Sequence, residues 1–191
     1  MKKQISGVLV LLLLSICVSA QTNDKTVEKI RTYYTDIAEK ARLCEIDDDR
    51  GQFGELFMNE LVVNKRNHQW RAVGIHNLSL KFFYRGGDSE KHMYPDRLVM
   101  VKAERKESNR VYNEEYLYSD AGVLMFYFQK AENDDQTPGE RRIYFSGIKP
   151  VRIIEDGKTR DKLTAKDGAV VKEITSQSAK IKEMFSRSIK L

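Results

Sequence analysis

Four glutamates are the residues in this sequence best suited to acid–base chemistry, and all lie on segments that we predict to be strands: Glu114, Glu115, Glu140 and Glu155. Two carboxyl groups about 5–9.5 Å apart can serve as the acid and base of glycoside hydrolysis. The sequence does not indicate that any two of them converge. Arginines share the same strands: Arg141, Arg142 and Arg152. Because opposite charges stabilise neighbouring strands, we expect ion pairs across the sheet rather than a catalytic pair.

The histidines are the next candidates, as metal ligands. A zinc site needs three or four converging ligands, and two of them often come from one short segment. His68, His76 and His92 are separated by eight and sixteen residues, and no His-x-x-x-His pair occurs. We therefore interpret them as structural or exposed histidines.

The acidic segment from Glu45 to Gly51 invites comparison with a calcium-binding EF-hand loop, which has Gly at its sixth position and Glu at its twelfth. Counting from Asp47 puts Gly51 at the fifth position. Counting from Glu45 puts Arg50 sixth and Leu56 twelfth. Neither register provides the ligands, so we predict a solvated loop.

Nucleophilic residues are equally isolated. The sequence contains no Gly-x-Ser-x-Gly elbow, phosphate-binding loop or Cys-His pair, and Ser119 and Ser146 fall in predicted turns, where serine is common. Cys44 lies at the end of a predicted helix, where we expect a small buried side chain rather than a reactive thiol. The sequence thus predicts no catalytic, cofactor-binding or metal-binding residue, and it disfavours an enzyme.

Trp70 and Arg71 are the best candidates for a binding surface. Tryptophan and arginine are the residues that most often dominate the binding energy of interfaces. The alternative is that Trp70 packs in the core, and the pattern favours this alternative.

Residues 1–20 have the features of a secretory signal. Lys2 and Lys3 are followed by an apolar run from Val8 to Leu14, and Val18-Ser19-Ala20 offers small residues for cleavage. The apolar run is short for a membrane span, which needs roughly 20 apolar residues. We therefore expect a periplasmic or secreted protein whose mature chain has no transmembrane segment.

A lipid anchor at Cys17 is the alternative fate of the leader. Bacterial lipoprotein signals place a small residue before that cysteine, and Ile16 occupies the position here. We therefore disfavour lipid anchoring. Removal of residues 1–20 leaves Cys44 as the only cysteine, so no internal disulfide could form.

Length and charge narrow the class of protein further. The chain has 191 residues, which suits one domain. Its net charge of +5 falls to +3 when Lys2 and Lys3 leave with the leader (5 − 2 = 3). Charges of both signs are interleaved, as in Glu104-Arg105-Lys106-Glu107, which is typical of a solvated surface and not of a nucleic-acid-binding face.

A helix is predicted at each end of the mature sequence. After Asn23 or Asp24 as a cap, apolar residues recur at spacings of three and four: Val27, Ile30, Tyr34, Ile37 and Ala41. A loose, charged segment from Lys158 to Lys166 leads into the second helix, whose start is marked by a capping box of Thr164 and Asp167. Its apolar side is predicted to hold Val170, Val171, Ile174, Ile181, Met184, Phe185 and Ile189. Three polar residues interrupt this stripe: Ser176, Gln177 and Ser178.

Between the helices, apolar strands alternate with polar turns. The predicted strands are Phe53–Val63, Trp70–Arg85, Leu98–Ala103 and two hairpins between Asn113 and Gly157. Gly74 is expected to mark a bulge. The predicted fold is α+β, an antiparallel meander of about seven strands flanked by an N-terminal and a C-terminal helix. Residues 21–157 would hold the first helix and the sheet, and 158–191 the charged linker and last helix of the same domain.

The two predicted hairpins resemble each other. Tyr118-Ser119 and Phe145-Ser146 stand at matching places before their turns, which suggests a repeated unit. Strict alternation assigns the residues after the first turn to two faces, Leu124, Phe126 and Phe128 to one and Val123, Met125 and Tyr127 to the other. Because both faces are apolar, we expect this strand to be covered on both sides. Pro150 cannot donate to the ladder, which places its strand at an edge or near a bulge.

Four strings within residues 55–157 carry a resemblance to a known group of proteins: Trp70-Arg71-Ala72-Val73-Gly74, Tyr94-Pro95-Asp96-Arg97-Leu98-Val99, Glu114-Glu115-Tyr116-Leu117-Tyr118 and Glu140-Arg141-Arg142-Ile143-Tyr144-Phe145. They resemble uncharacterised exported proteins of Bacteroidetes-type bacteria, which have similar tyrosine-rich, turn-punctuated strands. The resemblance implies an exported protein built from antiparallel hairpins, and it implies no catalytic or binding residue. Lys149-Pro150 departs from the plain Gly-Lys-apolar turn exit of that group and leaves the path of the last strand open.

These observations favour an exported, non-enzymatic protein whose sheet presents a binding surface to a protein, peptide or glycan of the cell envelope. The alternative is a small hydrolase of envelope polymers, or an inhibitor of one. A cleft with two carboxylates of shifted pKa would indicate the hydrolase. A flat apolar patch or protruding loop would indicate binding or inhibition. A third interpretation, an assembly subunit, would need a long exposed edge strand. No cofactor and no nucleic-acid partner are expected.

Overall fold

A computed structural model describes residues 4–46, 56–72, 74–87, 90 and 93–189 of the chain, with side chains from residue 23 onward. This part contains two helices and nine strands: α1 Gln4–Ile46, β1 Phe57–Val63, β2 Gln69–Trp70, β3 Gly74–Arg85, β4 Arg97–Glu107, β5 Arg110–Tyr118, β6 Leu124–Glu132, β7 Glu140–Ser146, β8 Lys149–Glu155, β9 Lys158–Arg160 and α2 Ala165–Ser188. Several residues used in the sequence predictions lie outside the described residues: Lys2, Lys3, Asp47 to Gly51, Phe53, Val73 and His92.

The strands form one antiparallel meander in the order β1-β3-β4-β5-β6-β7-β8-β9, and β2 pairs with the first residues of β3. One helix packs on each face of the sheet, which confirms the predicted α+β class. The strand count exceeds the predicted seven because β2 and β9 hold only two and three residues. Such short strands show no alternating pattern in the sequence.

The sheet divides the interior into two cores. Beneath α1, the predicted stripe is buried at Val27, Ile30, Ile37 and Ala41, against sheet residues that include Phe83, Met100, Leu117, Phe126 and Tyr144. Beneath α2, Ile174, Ile181 and Phe185 pack against Leu80, Phe82, Tyr116, Tyr118 and Tyr127. Strands in the middle of the sheet are therefore apolar on both faces, as predicted for β6.

α2 is one unbroken helix despite its polar interruption. Thr164 and Asp167 form the predicted capping box at its start. The Tyr116 hydroxyl donates to Gln177 Oε1 at 3.2 Å, and the Ser178 hydroxyl donates to the Tyr118 hydroxyl at 3.0 Å. Tyrosines of the sheet thus satisfy Gln177 and Ser178, and the helix continues unbroken from Ala165 to Ser188.

Three hairpins have the same irregularity at the same end of the sheet. The register of β3–β4, β5–β6 and β7–β8 leaves one residue of the second strand without a partner: Val99, Met125 and Val151. Each is a β-bulge, which reverses the alternation of side chains. Leu124 therefore lies beneath α2 and Phe126 beneath α1, so their predicted placement on one face is wrong. Pro150 lies next to the third bulge, in agreement with one of its two predicted positions.

α1 begins at Gln4 and passes through Asn23 and Asp24, so the cap predicted there is wrong. The apolar run of residues 8–14 continues into the amphipathic stripe with no proline or glycine between them, and nothing interrupts the helix. The secretory role of residues 1–20 stays a prediction. Within the described residues, no helix combines the length and the apolar character required to cross a membrane.

Two further boundaries differ from the predictions. The segment Trp70–Arg85 is not one strand, because a turn at Arg71 and Ala72 separates β2 from β3. Gly74 begins β3 with a positive φ of 79°, which glycine adopts without strain, and it marks this turn rather than a bulge. Lys158–Arg160 form β9 within the segment predicted to be loose.

Candidate interaction surface

The sheet edge formed by β1 is long and apolar. β1 pairs with β3 through all seven of its residues, Phe57 to Val63. Within the described residues, no strand pairs with its other side. Its sequence, Phe-Met-Asn-Glu-Leu-Val-Val, contains no lysine and no proline, the residues that commonly protect an edge from pairing with another chain. β1 therefore offers a row of backbone donors and acceptors.

Three large apolar side chains of β1 are exposed: Phe57 (50 %), Leu61 (41 %) and Met58 (36 %). Phe57 and Leu61 pair with Tyr84 and Leu80, which belong to the core beneath α2, so both project on the α2 face. Met58 projects on the α1 face. Exposed apolar groups thus flank the edge on both faces of the sheet.

β1 is held firmly against β3. The rings of Phe57 and Tyr84 stack with their centroids 5.8 Å apart, and the Tyr84 hydroxyl donates to Asn59 Oδ1 at 2.9 Å. At the start of the strand, the half-buried Cys44 thiol of α1 donates to the Leu56 carbonyl oxygen at 3.4 Å. The edge is therefore presented by an anchored strand.

Trp70 extends this edge beyond the end of β1. Trp70 pairs with Gly74, the first residue of β3, and β1 pairs with the same strand further along. The Trp70 side chain is 43 % exposed. Its ring contacts the His76 ring at a centroid distance of 5.3 Å. The favoured prediction of a core position for Trp70 is therefore wrong, because the turn at Arg71 holds β2 at the rim of the sheet. Arg71 is exposed in that turn.

Asn64 organises the connection that brings β2 to the edge. Its side-chain nitrogen donates to the carbonyl oxygens of His68 (2.8 Å) and His76 (2.7 Å), and its Oδ1 accepts from the His68 N–H at 2.9 Å. Asn64 has a φ of 54°, a conformation that asparagine tolerates better than most residues. This clamp places Trp70 on the same edge as β1.

The two described histidines, His68 and His76, lie beside this connection. In the part of the chain that the structure describes, no three His, Cys, Asp or Glu side chains are grouped as metal ligands.

The candidate carboxylates serve as partners of tyrosines and arginines. Glu114 is buried beneath α2 and accepts from the Tyr127 hydroxyl at 2.8 Å. Glu115, on the opposite face of β5, accepts from the Tyr34 hydroxyl of α1 at 2.6 Å. Burial and the charge of Glu114 raise the pKa of Tyr127, so this tyrosine keeps its proton and donates it.

Glu140 and Glu155 are in ion pairs. Glu155 accepts from Arg141 Nε across the β7–β8 ladder at 2.8 Å and from Arg160 at 2.6 Å, which agrees with the predicted cross-strand pairing. Burial opposes the ionisation of Glu155, but the bonds from Arg160 and Arg141 outweigh it and lower the pKa. Glu140 pairs with Arg142 along its own strand at 2.9 Å.

Arg152, the third arginine, pairs with Asp161 at 2.5 Å and with Asp24 of α1 at 2.8 Å. This arginine therefore joins the first helix to the sheet, a link between distant parts of the sequence that strand patterns could not reveal.

Comparisons with known proteins do not add a family to this geometry. No family model, no curated protein and no solved structure matches the chain. The resemblance to exported proteins of Bacteroidetes-type bacteria stays a prediction.

Proposed function

We propose that this chain is an exported, non-enzymatic binding protein that takes an extended segment of a partner protein as an additional strand beside β1. The observation that carries the proposal is the seven-residue edge of β1, which has exposed apolar side chains and no protective lysine or proline. Proteins that bind by strand addition obtain affinity from backbone hydrogen bonds and specificity from alternate side chains.

The chemistry of the edge favours a particular kind of segment. Phe57 and Leu61 offer apolar contacts on one face, and Trp70 extends them along the same edge. Glu60 is exposed near the middle of β1 and accepts from the Ser79 hydroxyl at 2.9 Å. Because opposite charges stabilise neighbouring strands, a basic residue facing Glu60 would favour binding. The expected segment alternates apolar residues with at least one lysine or arginine.

The hydrolase alternative has less support from the arrangement of the carboxylates. Glu114 and Glu115 point to opposite faces of β5, and Glu140 and Glu155 are engaged by arginines. An acid–base pair needs two carboxyl groups in one cleft whose environments separate their pKa values. An assembly subunit is the second candidate, since a second copy could occupy the same edge.

A capture experiment followed by hydrogen exchange tests the proposal. Residues 21–191 serve as bait in an envelope extract, and the captured partner is then purified and mixed with the chain. We expect the β1 amide protons that face away from β3 to exchange at least about tenfold more slowly in the complex, because they gain hydrogen bonds. A bound partner that leaves β1 exchange unchanged would contradict strand addition. Slow exchange in the chain alone, with a dimeric mass, would indicate a second copy.

Proline substitutions at neighbouring positions provide a matched control. Successive residues of a strand direct their N–H groups to opposite sides, so Leu61→Pro and Val62→Pro differ in which ladder they break. One of the two substitutions removes a backbone hydrogen bond to β3 and destabilises the chain. The other removes only an N–H group that points away from β3, to the side where the partner segment would bind. We expect the variant that stays folded to lose partner binding. Retention of binding by that variant would exclude backbone pairing at β1.

A further inference from the structure

A cavity of about 330 Å³ lies between α1 and the strands β6 and β7, far along the sheet from β1. The second half of α1 crosses the sheet diagonally, from Arg152 of β8, which pairs with Asp24, to Lys81 of β3, which pairs with Glu45. The helix leaves this space beside Arg31, Tyr34 and Thr35. Pockets that bind small molecules commonly have volumes of about 300–1,000 Å³, so the cavity is large enough for a ligand of one or two rings.

The floor of the cavity is aromatic. It is formed by Phe126, Phe128 and Tyr144, of which the first and last are buried. Phe126 contacts the Tyr34 ring at a centroid distance of 5.0 Å and the Tyr144 ring at 4.9 Å. The Tyr34 and Tyr144 rings are inclined to the Phe126 ring by 63° and 46°, so the floor is an apolar aromatic surface that a planar group can contact by its face or its edge.

Two arginines stand on opposite walls, Arg31 on α1 and Arg142 on β7. Arg31 Nε donates to the Tyr144 hydroxyl at 3.2 Å, and its guanidinium carbon lies 5.5 Å from the centre of the Tyr144 ring. Within the described residues, the terminal amino groups of Arg31 have no hydrogen-bond acceptor and no carboxylate partner. A guanidinium held by its Nε and an aromatic face leaves its terminal donors directed to a ligand.

Arg142 can adjust to a ligand at small cost. Its guanidinium carbon lies 5.7 Å from the centre of the Phe128 ring, and it pairs with Glu140 at 2.9 Å. Both side chains of this pair are about two-fifths exposed, and exposed ion pairs contribute little to stability. An anion in the cavity could therefore take over part of the hydrogen bonding of Arg142.

The electrostatics of the cavity favour a negative ligand. Among the described residues, the lining has two guanidinium groups and no carboxylate. Two acids stand near the lining: Glu140 pairs with Arg142 at 2.9 Å, and Glu115 accepts from the Tyr34 hydroxyl at 2.6 Å. Burial and that hydrogen bond raise the pKa of Tyr34, so its hydroxyl stays neutral.

We infer that this cavity is a binding site for a small planar organic anion, a compound with one or two rings and one carboxylate. The ring would stack on Phe126 and Phe128, and the carboxylate would bridge Arg31 and Arg142. This site is independent of the proposed strand addition at β1, because it lies on β6 and β7 and uses none of the exposed side chains of the edge.

A pair of matched probes tests the site. 2-Naphthoate and its uncharged analogue 2-naphthamide are titrated into the full chain, and the arginine Nε–H signals are followed by nuclear magnetic resonance. We expect saturable shifts of the Arg31 and Arg142 signals, with a dissociation constant at least about tenfold lower for the carboxylate than for the amide. Equal dissociation constants, or shifts confined to other arginines, would overturn the inference.

Arg31→Met and Arg142→Met keep an apolar stem and remove the charge, and methionine is well tolerated at an exposed helical residue such as Arg31. Each is expected to raise the dissociation constant of 2-naphthoate about tenfold and leave that of 2-naphthamide within twofold. Arg187→Met is the control, because Arg187 is an exposed arginine of α2 that pairs only with Glu183 among the described residues. A similar loss in the control, or no loss in either cavity variant, would also overturn the inference.

Discussion

β1 and β9 close the same sheet at opposite ends, yet they differ in length, charge and attachment. β1 has seven residues, of which Glu60 alone is charged, whereas β9 has the three residues Lys158, Thr159 and Arg160. Short edge strands with positive charges discourage pairing with another chain. The short, positively charged β9 is therefore protected against pairing with another chain, whereas β1 lacks both features.

The attachment of β9 uses its charge within the fold. Arg160 donates to Glu155 of β8 at 2.6 Å and to Asp167 of α2 at 2.8 Å. Asp167 in turn accepts from the Thr164 N–H at 2.8 Å in the capping box. The polar groups of this edge thus connect the sheet to a helix, whereas β1 is held by its ladder with β3 and by aromatic packing, and three of its apolar side chains are exposed. This difference is the basis for proposing that β1, and not β9, is the edge that binds a partner.

Adding the missing lysine to β1 should produce the largest effect. Leu61→Lys places a charge at the middle of the edge and removes an apolar contact, so we expect the partner's dissociation constant to rise roughly 100-fold, about 2.7 kcal/mol. Thr159→Lys makes the same kind of change at the edge that is already charged and should leave affinity within about twofold. Binding is measured by titration of the captured partner, with thermal unfolding as the folding control. Equal effects of the two changes would remove the distinction between the edges.

Breaking the attachment of β9 should destabilise the fold without affecting binding. Asp167→Ala removes the capping-box acceptor and one partner of Arg160, and we expect a loss of about 2 kcal/mol in the free energy of unfolding. Glu183→Ala, which removes an exposed pair with Arg187 on the same helix, should cost no more than about 0.5 kcal/mol. Both values come from urea unfolding. A comparable loss in the two variants would show that the bonds of Asp167 to Arg160 and Thr164 contribute no more to stability than an exposed ion pair.

The same network should give the protein a dependence on pH. Burial opposes the ionisation of Asp167, but hydrogen bonds from Thr164 and Arg160 outweigh it and lower the pKa. A carboxylate with a lowered pKa in the folded state contributes stability above its unfolded pKa, about 4, and loses that contribution as the pH falls through the folded value.

The stability difference between the natural chain and Asp167→Asn should therefore be constant from pH 7 to about pH 5 and shrink below about pH 4. Unfolding in urea at several pH values measures it. A difference that grew as the pH fell would have the opposite sign and would exclude this role for the Asp167 carboxylate.

The sequence could predict the two helices, because their apolar pattern repeats over several turns. The α1 stripe from Val27 to Ala41 and the stripe of α2 at Ile174 and Ile181 are buried as predicted, because a helical pattern repeats several times in each. Met184, predicted on the apolar side, is 41 % exposed, since the neighbouring Phe185 occupies the position that faces the sheet.

The sequence could not reveal features that depend on distant contacts. The bulge at Met125 changes the face of Phe126 without altering the local apolar pattern. The position of β1 at an edge of the described sheet depends on the strand order, and the cavity beside Arg31 depends on the path of α1 over β6 and β7. The role of Arg31 as a wall of the cavity had no signal in the spacing of residues.

The substitution Trp70→Ala tests how far the interaction surface extends beyond β1, and it has the smallest expected effect on stability. The side chain is 43 % exposed and rests on His76, so Trp70→Ala should cost less than about 1 kcal/mol, whereas a tryptophan in the core would cost roughly 3–5 kcal/mol. Because β2 lies beyond β1, we expect partner affinity to fall only about fivefold. Arg71→Ala, in the adjacent exposed turn, is the matched control.

Trp70 is the only tryptophan, so its fluorescence reports on this position directly. Emission of the free chain should have the long wavelength of a partly hydrated indole, and it should shift to shorter wavelength when the partner covers the edge. Emission that stays unchanged on binding, together with full affinity in Trp70→Ala, would limit the interaction surface to β1. If the emission shift occurs in the natural chain and is abolished by Leu61→Lys, then β1 and Trp70 belong to one interaction surface, because a single bound strand has to reach both.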